Sequence, residues 1–268
     1  MKPIRVFPRR TSMTPMDEYA FVGNPPMIRP EADEVHVDCT FTWDIPEVKR
    51  LANAWGQYYP VKLGGCAFGD PCNGFTPNMY IRNGVTFTSR GCNNQCPWCL
   101  VWKREGKLRE LPIIEGNNIQ DNNLLQCSKS HINKVFAMLQ KQSHIQFGGG
   151  LDSRLITDEI ADQIRSLRIY QIFLAADTKS ALKPLERAIK KLNLPQNKIR
   201  CYALLAFEGE SISDGLERLE TIYRLGVLPF AQLYQPPDKW IEYSKEWRDL
   251  ARTWSRPAAM KSFMELGL

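Results

Sequence analysis

From Gly84 onward the chain alternates short apolar runs with segments whose apolar residues recur every three or four positions. Residues 85–88, a weaker stretch at 118–121, then 144–147, 171–176, 199–206 and 228–234 read as strands. Between them Ile132, Val135, Phe136 and Leu139, then Ile160, Ile164 and Leu167, then Leu182, Leu185 and Ile189, then Leu216, Leu219, Ile222 and Tyr223 fall at helical spacing. Ser128, Thr157 and Ser213 stand where N-caps belong, and Gly226 where a C-terminal glycine belongs. Strands alternating with helices predict an α/β fold with a parallel sheet and right-handed crossovers. In such folds ligands gather at the carboxyl ends of the strands.

Residues 1–83 read as a separate small α/β lobe. Residues 34–42 alternate like a strand; Asp44 offers an N-cap with Pro46 in the first turn, and Val48, Leu51, Ala52 and Trp55 follow at helical spacing. Residues 60–65 read as the next parallel strand and its turn. Gly64, Gly65, Gly69, Pro71, Gly74 and Pro77 then mark irregular chain. Cys66 and Cys72 in it are too few for a second cluster on their own, which favours plain loop packing. In the tail, residues 239–268, a stripe of Trp240, Tyr243, Trp247, Leu250 and Trp254 predicts a helix covering the open side of the core. The interleaved Lys239, Lys245, Arg248, Arg252 and Arg256 also suit stacking and phosphate contacts with nucleic acid.

Composition narrows the class. The 268 residues are 43% hydrophobic, with seven tryptophans, enough for a real core. No apolar stretch is long enough to span a membrane or to serve as a signal peptide, so the expectation is a cytoplasmic protein without membrane contact. The formal net charge of +6 permits an anionic partner without demanding one.

Three of the eight cysteines, Cys92, Cys96 and Cys99, form a C-x3-C-x2-C run directly after the first strand of the alternation. Zinc wants four ligands, and His36, His131 and His144 provide no second pair at finger spacing. A thioredoxin-type Cys96-Pro97-Trp98-Cys99 pair leaves Cys92 without a role. A ferredoxin-like carrier needs a fourth cysteine, which Cys72 or Cys127 could supply. A four-iron cluster held by three thiolates keeps one iron open to a small molecule, and this is the reading the spacing favours. Cys39 and Cys201, in strand-like segments, read as buried free thiols.

The triplet, with aromatic Trp98 before its last cysteine, resembles the signature of the radical S-adenosylmethionine enzymes. The resemblance implies a [4Fe-4S] cluster on Cys92, Cys96 and Cys99 whose open iron chelates the amino and carboxylate groups of S-adenosyl-L-methionine. It further implies reductive cleavage to a 5'-deoxyadenosyl radical that abstracts hydrogen, a flavodoxin- or ferredoxin-type electron donor, and a partial (β/α)6 TIM-like barrel. The substrate stays open among nucleic acid, peptide and small metabolite. An electron-transfer iron-sulfur protein and a nucleic-acid-binding protein with a structural cluster are the competing readings. The lobe before the core resembles a truncated cobalamin-binding domain. It lacks the Asp-x-His-x-x-Gly loop, so no cobalamin is expected.

The same resemblance assigns the strand ends. Phe147, Gly148, Gly149 and Gly150 stand where the family's Gly-Gly-Glu motif holds the methionyl amine, with Gly150 in place of the Glu. Asp177 stands at the ribose-binding position, although an N-cap would equally use it. Arg154 could meet the methionyl carboxylate or be a solvated surface residue. Residues 202–207, Leu204 among them, correspond to the segment lying against adenine, with Ala206 where the family often has Gly. Gln232, Tyr234 and Gln235 end the sixth strand and could face substrate. Lys103 and Arg104, beyond the cysteines, read as a solvated helix face.

Overall fold

The structure is a computed structural model describing residues 2–70 and 75–266. Cys72 and Gly74, and with them the question of a Cys66–Cys72 site, lie outside the described residues. Two parallel sheets organise the chain. The first contains β1 (Ile4–Phe7), β2 (Ala20–Val22), β3 (Val35–Asp38) and β4 (Val61–Gly64), in the order β2-β1-β3-β4. The expected strand-helix-strand unit is present as β3, α1 (Ile45–Trp55) and β4. Val48, Leu51 and Trp55 of α1 pack on Ile4, Val6, Val35 and Val37, a core of their own. The sequence pattern had missed β1 and β2, which are four and three residues long and lie among prolines and arginines. Asp44 begins α1 but does not cap it; its buried carboxylate is bonded by Arg9 instead.

The second sheet holds six parallel strands in sequence order, β5 (Val85–Thr86), β8 (Asn118–Ile119), β9 (Ile145–Phe147), β10 (Ile169–Ala175), β11 (Ile199–Leu205) and β12 (Leu228–Leu233). All six expected strands exist, several shorter than the pattern suggested. A two-stranded antiparallel hairpin, β6 (Ser89–Arg90) with β7 (Arg109–Glu110), interrupts the path from β5 to β8 and frames the short helix α2 (Val101–Arg104). The later connections carry α3 (Lys129–Gln140), α4 (Asp158–Arg165), α5 (Leu182–Leu192) and α6 (Ile212–Arg224). Their apolar faces, for example Val135 and Leu139 or Leu219 and Ile222, bury against Ile145, Ile172, Cys201 and Ala203 of the strands.

Ser128 and Thr157 cap α3 and α4 through their side chains, accepting from the amides of His131 and Ile160. Ser213 does not cap α6. Ser211 does, accepting from Asp214 N at 3.1 Å, because the chain turns helical two residues earlier than the apolar spacing implied. Gly226, at φ +86°, follows the end of α6. The aromatic stripe of the tail is not one helix: Trp240 is 61% exposed, whereas Trp247 lies in α7 (Lys245–Thr253) and Trp254 is fully buried between α7 and α8 (Pro257–Leu266). These helices cover the β12 side of the sheet, where Ala231 N donates to Trp254 O at 3.2 Å. Among the described residues no helix is long and apolar enough to cross a membrane.

Candidate iron-sulfur and nucleoside site

The cysteine loop begins where the chain leaves β6. Gly91 makes the turn at φ +77°, and a Cβ there would stand 2.3 Å from the Lys107 carbonyl oxygen, so only glycine fits. The base of the loop is fixed by a carboxylate that the sequence did not single out. Asp121, buried just past β8, accepts from Thr88 N and Thr88 Oγ1 at 2.6 Å and from Ser89 Oγ at 2.7 Å. Burial raises its pKa against these bonds. A second acid, Glu105, accepts from Gly91 N at 3.1 Å and Asn122 Nδ2 at 2.6 Å.

Amides then tie the loop across the rim. Gln126 accepts from Asn93 N at 2.8 Å and donates to Asn94 Oδ1 at 3.0 Å; Asn94 donates to Asp152 Oδ2 at 3.1 Å. Arg154 clasps the same Asp152 through Nε at 2.9 Å and Nη2 at 2.6 Å. Burial opposes ionisation of Asp152, but Arg154 and Asn94 outweigh it and hold the carboxyl at about 2.

The three thiols sit within this frame, each partly exposed. Asn94 N donates to Cys92 Sγ at 3.4 Å. Burial, together with the neighbouring thiols and Asp177, pushes Cys96 and Cys99 above the ordinary cysteine pKa. A cavity of about 410 Å³ opens beside Cys92, lined also by Asn93, Gln95, Trp102, Gly106 and Lys107. Three thiols on one loop are the donor chemistry of an iron-sulfur cluster. In this conformation, among the described residues, no three His, Cys, Asp or Glu side chains are gathered into a group that could hold a metal ion. Cys127 is buried, and burial pushes its thiol up to about 11.

The other sequence-selected residues divide. Asp177, after β10, accepts from Leu204 N at 3.0 Å; burial raises its pKa, opposed by that bond, by the Arg218 charge and by the Trp98 side chain. Trp98 also meets Phe207 edge-on at 5.4 Å. Asp177, Trp98 and Leu204 are thus one unit linking the cysteine loop to β10 and β11. The phenyl ring of Phe147 points away into the helix-side core against Phe136, 6.0 Å between centroids. Only its backbone reaches the rim.

At Gly148 and Gly149 an added Cβ would stand 2.2 Å from Gln120 Nε2 and 2.1 Å from the Asp121 carbonyl oxygen; Gly150 has φ +93°. Side-chain packing at Gly148, backbone packing at Gly149 and the positive φ of Gly150 account for these glycines without a ligand, and the Gly148 carbonyl already accepts from Tyr202 Oη at 2.8 Å. Ala206 adopts φ +61°, a conformation that favours glycine. Gln235 is occupied by Ile241, and Tyr234 O accepts from Tyr243 Oη at 2.5 Å. Lys103 is exposed, 5.2 Å from the Trp102 ring.

Compared with known proteins, the chain matches no family model, and no curated protein matches its sequence.

Proposed function

We propose that this chain is a radical S-adenosylmethionine enzyme whose six parallel strands form a partial (β/α)6 barrel. One observation supports the reading: the loop that carries the three cysteines is tied at the carboxyl end of a sequentially ordered parallel sheet, through Trp98 to Asp177 after β10 and through Asn94 to the Asp152–Arg154 pair after β9. Cys92, Cys96 and Cys99 would each give one thiolate to a [4Fe-4S] cluster. When bound, the cluster supplies the electron for reductive cleavage of S-adenosylmethionine and so a hydrogen-abstracting 5'-deoxyadenosyl radical.

The chain's own residues bind and orient. Because burial keeps the Cys96 and Cys99 thiols protonated, metal loading releases their protons and grows easier as pH rises. Asp177, immobilised by Leu204 and Trp98, presents a carboxylate to the paired hydroxyls of a ribose. Gly148 and Gly149 let the chain after β9 pack directly against Gln120 and Asp121 beneath the proposed site. Arg154 spends Nε and Nη2 on Asp152, which leaves Nη1 without a partner among the described residues for a ligand carboxylate. No cobalamin enters this reading.

The deciding experiment is anaerobic reconstitution with iron and sulfide, then dithionite and S-adenosylmethionine, with chromatography of the products. Formation of 5'-deoxyadenosine is expected. Its absence from protein carrying a fully loaded cluster would sink the proposal.

A further inference from the structure

The helices cover one face of the six-stranded sheet, and the opposite face is graded in chemistry. Strand register sets Asn118, Gln146 and Gln171 side by side across β8, β9 and β10. Their chain neighbours Ile119, Ile145, Phe147 and Ile172 are buried in the helix-side core, so by strand alternation these three carboxamides project from the other face. Asn118 Oδ1 accepts from Gln120 Nε2 at 2.8 Å. Gln146 and Gln171 are half-buried, and among the described residues their amides have no hydrogen-bond partner.

Nearer the rim, the same face carries Phe173, Tyr202 and Phe230. Phe173 stacks on Tyr202 with centroids 4.7 Å apart, and Phe230 meets the two edge-on at 6.1 and 5.7 Å. Arg200, also on this face, is spent on the Pro229 and Ser255 carbonyls at 3.1 and 2.9 Å and on the Phe230 ring. Ala175 and Gln232, higher still, are exposed, so the face is open towards the cysteine loop.

We infer that this face binds an uncharged nucleobase as part of the substrate. A heteroaromatic base offers a flat ring to the aromatic group and a donor-acceptor edge to paired carboxamides, the pairing that glutamine and asparagine make with base edges. Arg200 is buried, its Nη2 held by the Pro229 and Ser255 carbonyls, so a charged headgroup meets no exposed counter-charge among these residues, and an aliphatic ligand would leave the two amides unsatisfied. The inference rests on the proposed function only in calling the ligand a substrate. Base binding itself needs neither cluster nor S-adenosylmethionine.

Titration calorimetry of the 268-residue chain, without iron, against adenosine, guanosine, cytidine and uridine tests it. At least one nucleoside should bind saturably, and Gln146→Leu and Gln171→Leu should each weaken that binding at least tenfold with an unchanged thermal midpoint. If a leucine variant fails to fold, Gln146→Met and Gln171→Met replace it and should show the same loss. No binding by any of the four, or undiminished binding in both glutamine variants, would overturn the inference. A second arm uses reconstituted protein and S-adenosylhomocysteine: simultaneous binding of both compounds supports a substrate base. Mutual displacement would assign the row to the cofactor's own adenine and overturn the substrate assignment. Formation of 5'-deoxyadenosine is measured separately, so failure here leaves the enzyme reading standing on its own test.

Discussion

The two parallel sheets share a construction rule and end in different rims. At the end of β3, Asp38 is recessed beside Gly65 and accepts from Thr40 Oγ1 at 3.4 Å, and burial pushes its pKa up to about 6. At the rim of the six-stranded sheet, Asp121, Asp152 and Asp177 each sit in a set of donors that fixes a loop. Parallel topology collects chain ends on one side in both cases. Only where an excursion as long as the one from β6 to β7 returns side chains to that rim does a network of thiols, amides and acids assemble.

The comparison breaks most sharply at the cysteines. Cys92→Ala, Cys96→Ala or Cys99→Ala should abolish reconstituted iron and acid-labile sulfide, whereas Cys39→Ala in the first lobe should leave both contents unchanged. Iron retained by any of the triplet variants at wild-type stoichiometry would remove the cluster assignment.

Glycines at the two rims give the next largest contrast. Gly149→Ala drives a methyl into the Asp121 carbonyl and should cost about 3 kcal/mol in urea unfolding. Gly64→Ala meets nothing within 4 Å and should stay within about 0.5 kcal/mol of wild type. Equal costs would show that the rim of the six-stranded sheet is no more tightly packed than that of the first.

Asp152→Ala strips Asn94, Asn123 and Arg154 of a shared acceptor and should cost about 1–2 kcal/mol. It should also speed hydrogen exchange in residues 92–96. Unaltered exchange there would mean that the amide network does not hold the loop.

The smallest effect is in pH. Asp38 titrates higher in the fold, near 6, than the usual carboxylate value of 3.8. Its contribution to stability is therefore fully present below about pH 4 and is lost as pH rises through 6. Asp152 runs the other way: its contribution holds above about pH 4 and is lost as pH falls towards 2. The stability difference between wild type and Asp38→Asn should change between pH 4 and 6 and be flat above that range. A flat difference throughout would show that Asp38 is solvated.

Much of the frame was legible in local pattern. Six strands, four crossover helices, the strand-helix-strand unit of the first lobe and the caps at Ser128 and Thr157 follow from spacing and short-range bonding. The cap of α6 falls on Ser211 rather than the expected Ser213, because apolar periodicity locates a helix face better than its first turn. Trp240 and Trp254 share a stripe in sequence, yet one is exposed and the other fully buried, because the tail bends onto β12 rather than continuing as one helix.

The sequence by itself determined the alternation, the cysteine spacing and the residue types at each strand end, since these depend on neighbours a few positions apart. Tertiary structure alone decided that Asp121 anchors Thr88 and Ser89, that Asp152 takes Arg154 and Asn94 together, and that Gln146 and Gln171 lie abreast. Apart from the local Asp152–Arg154 pair, these arrangements join residues from separate strands and loops, which only the tertiary fold brings side by side.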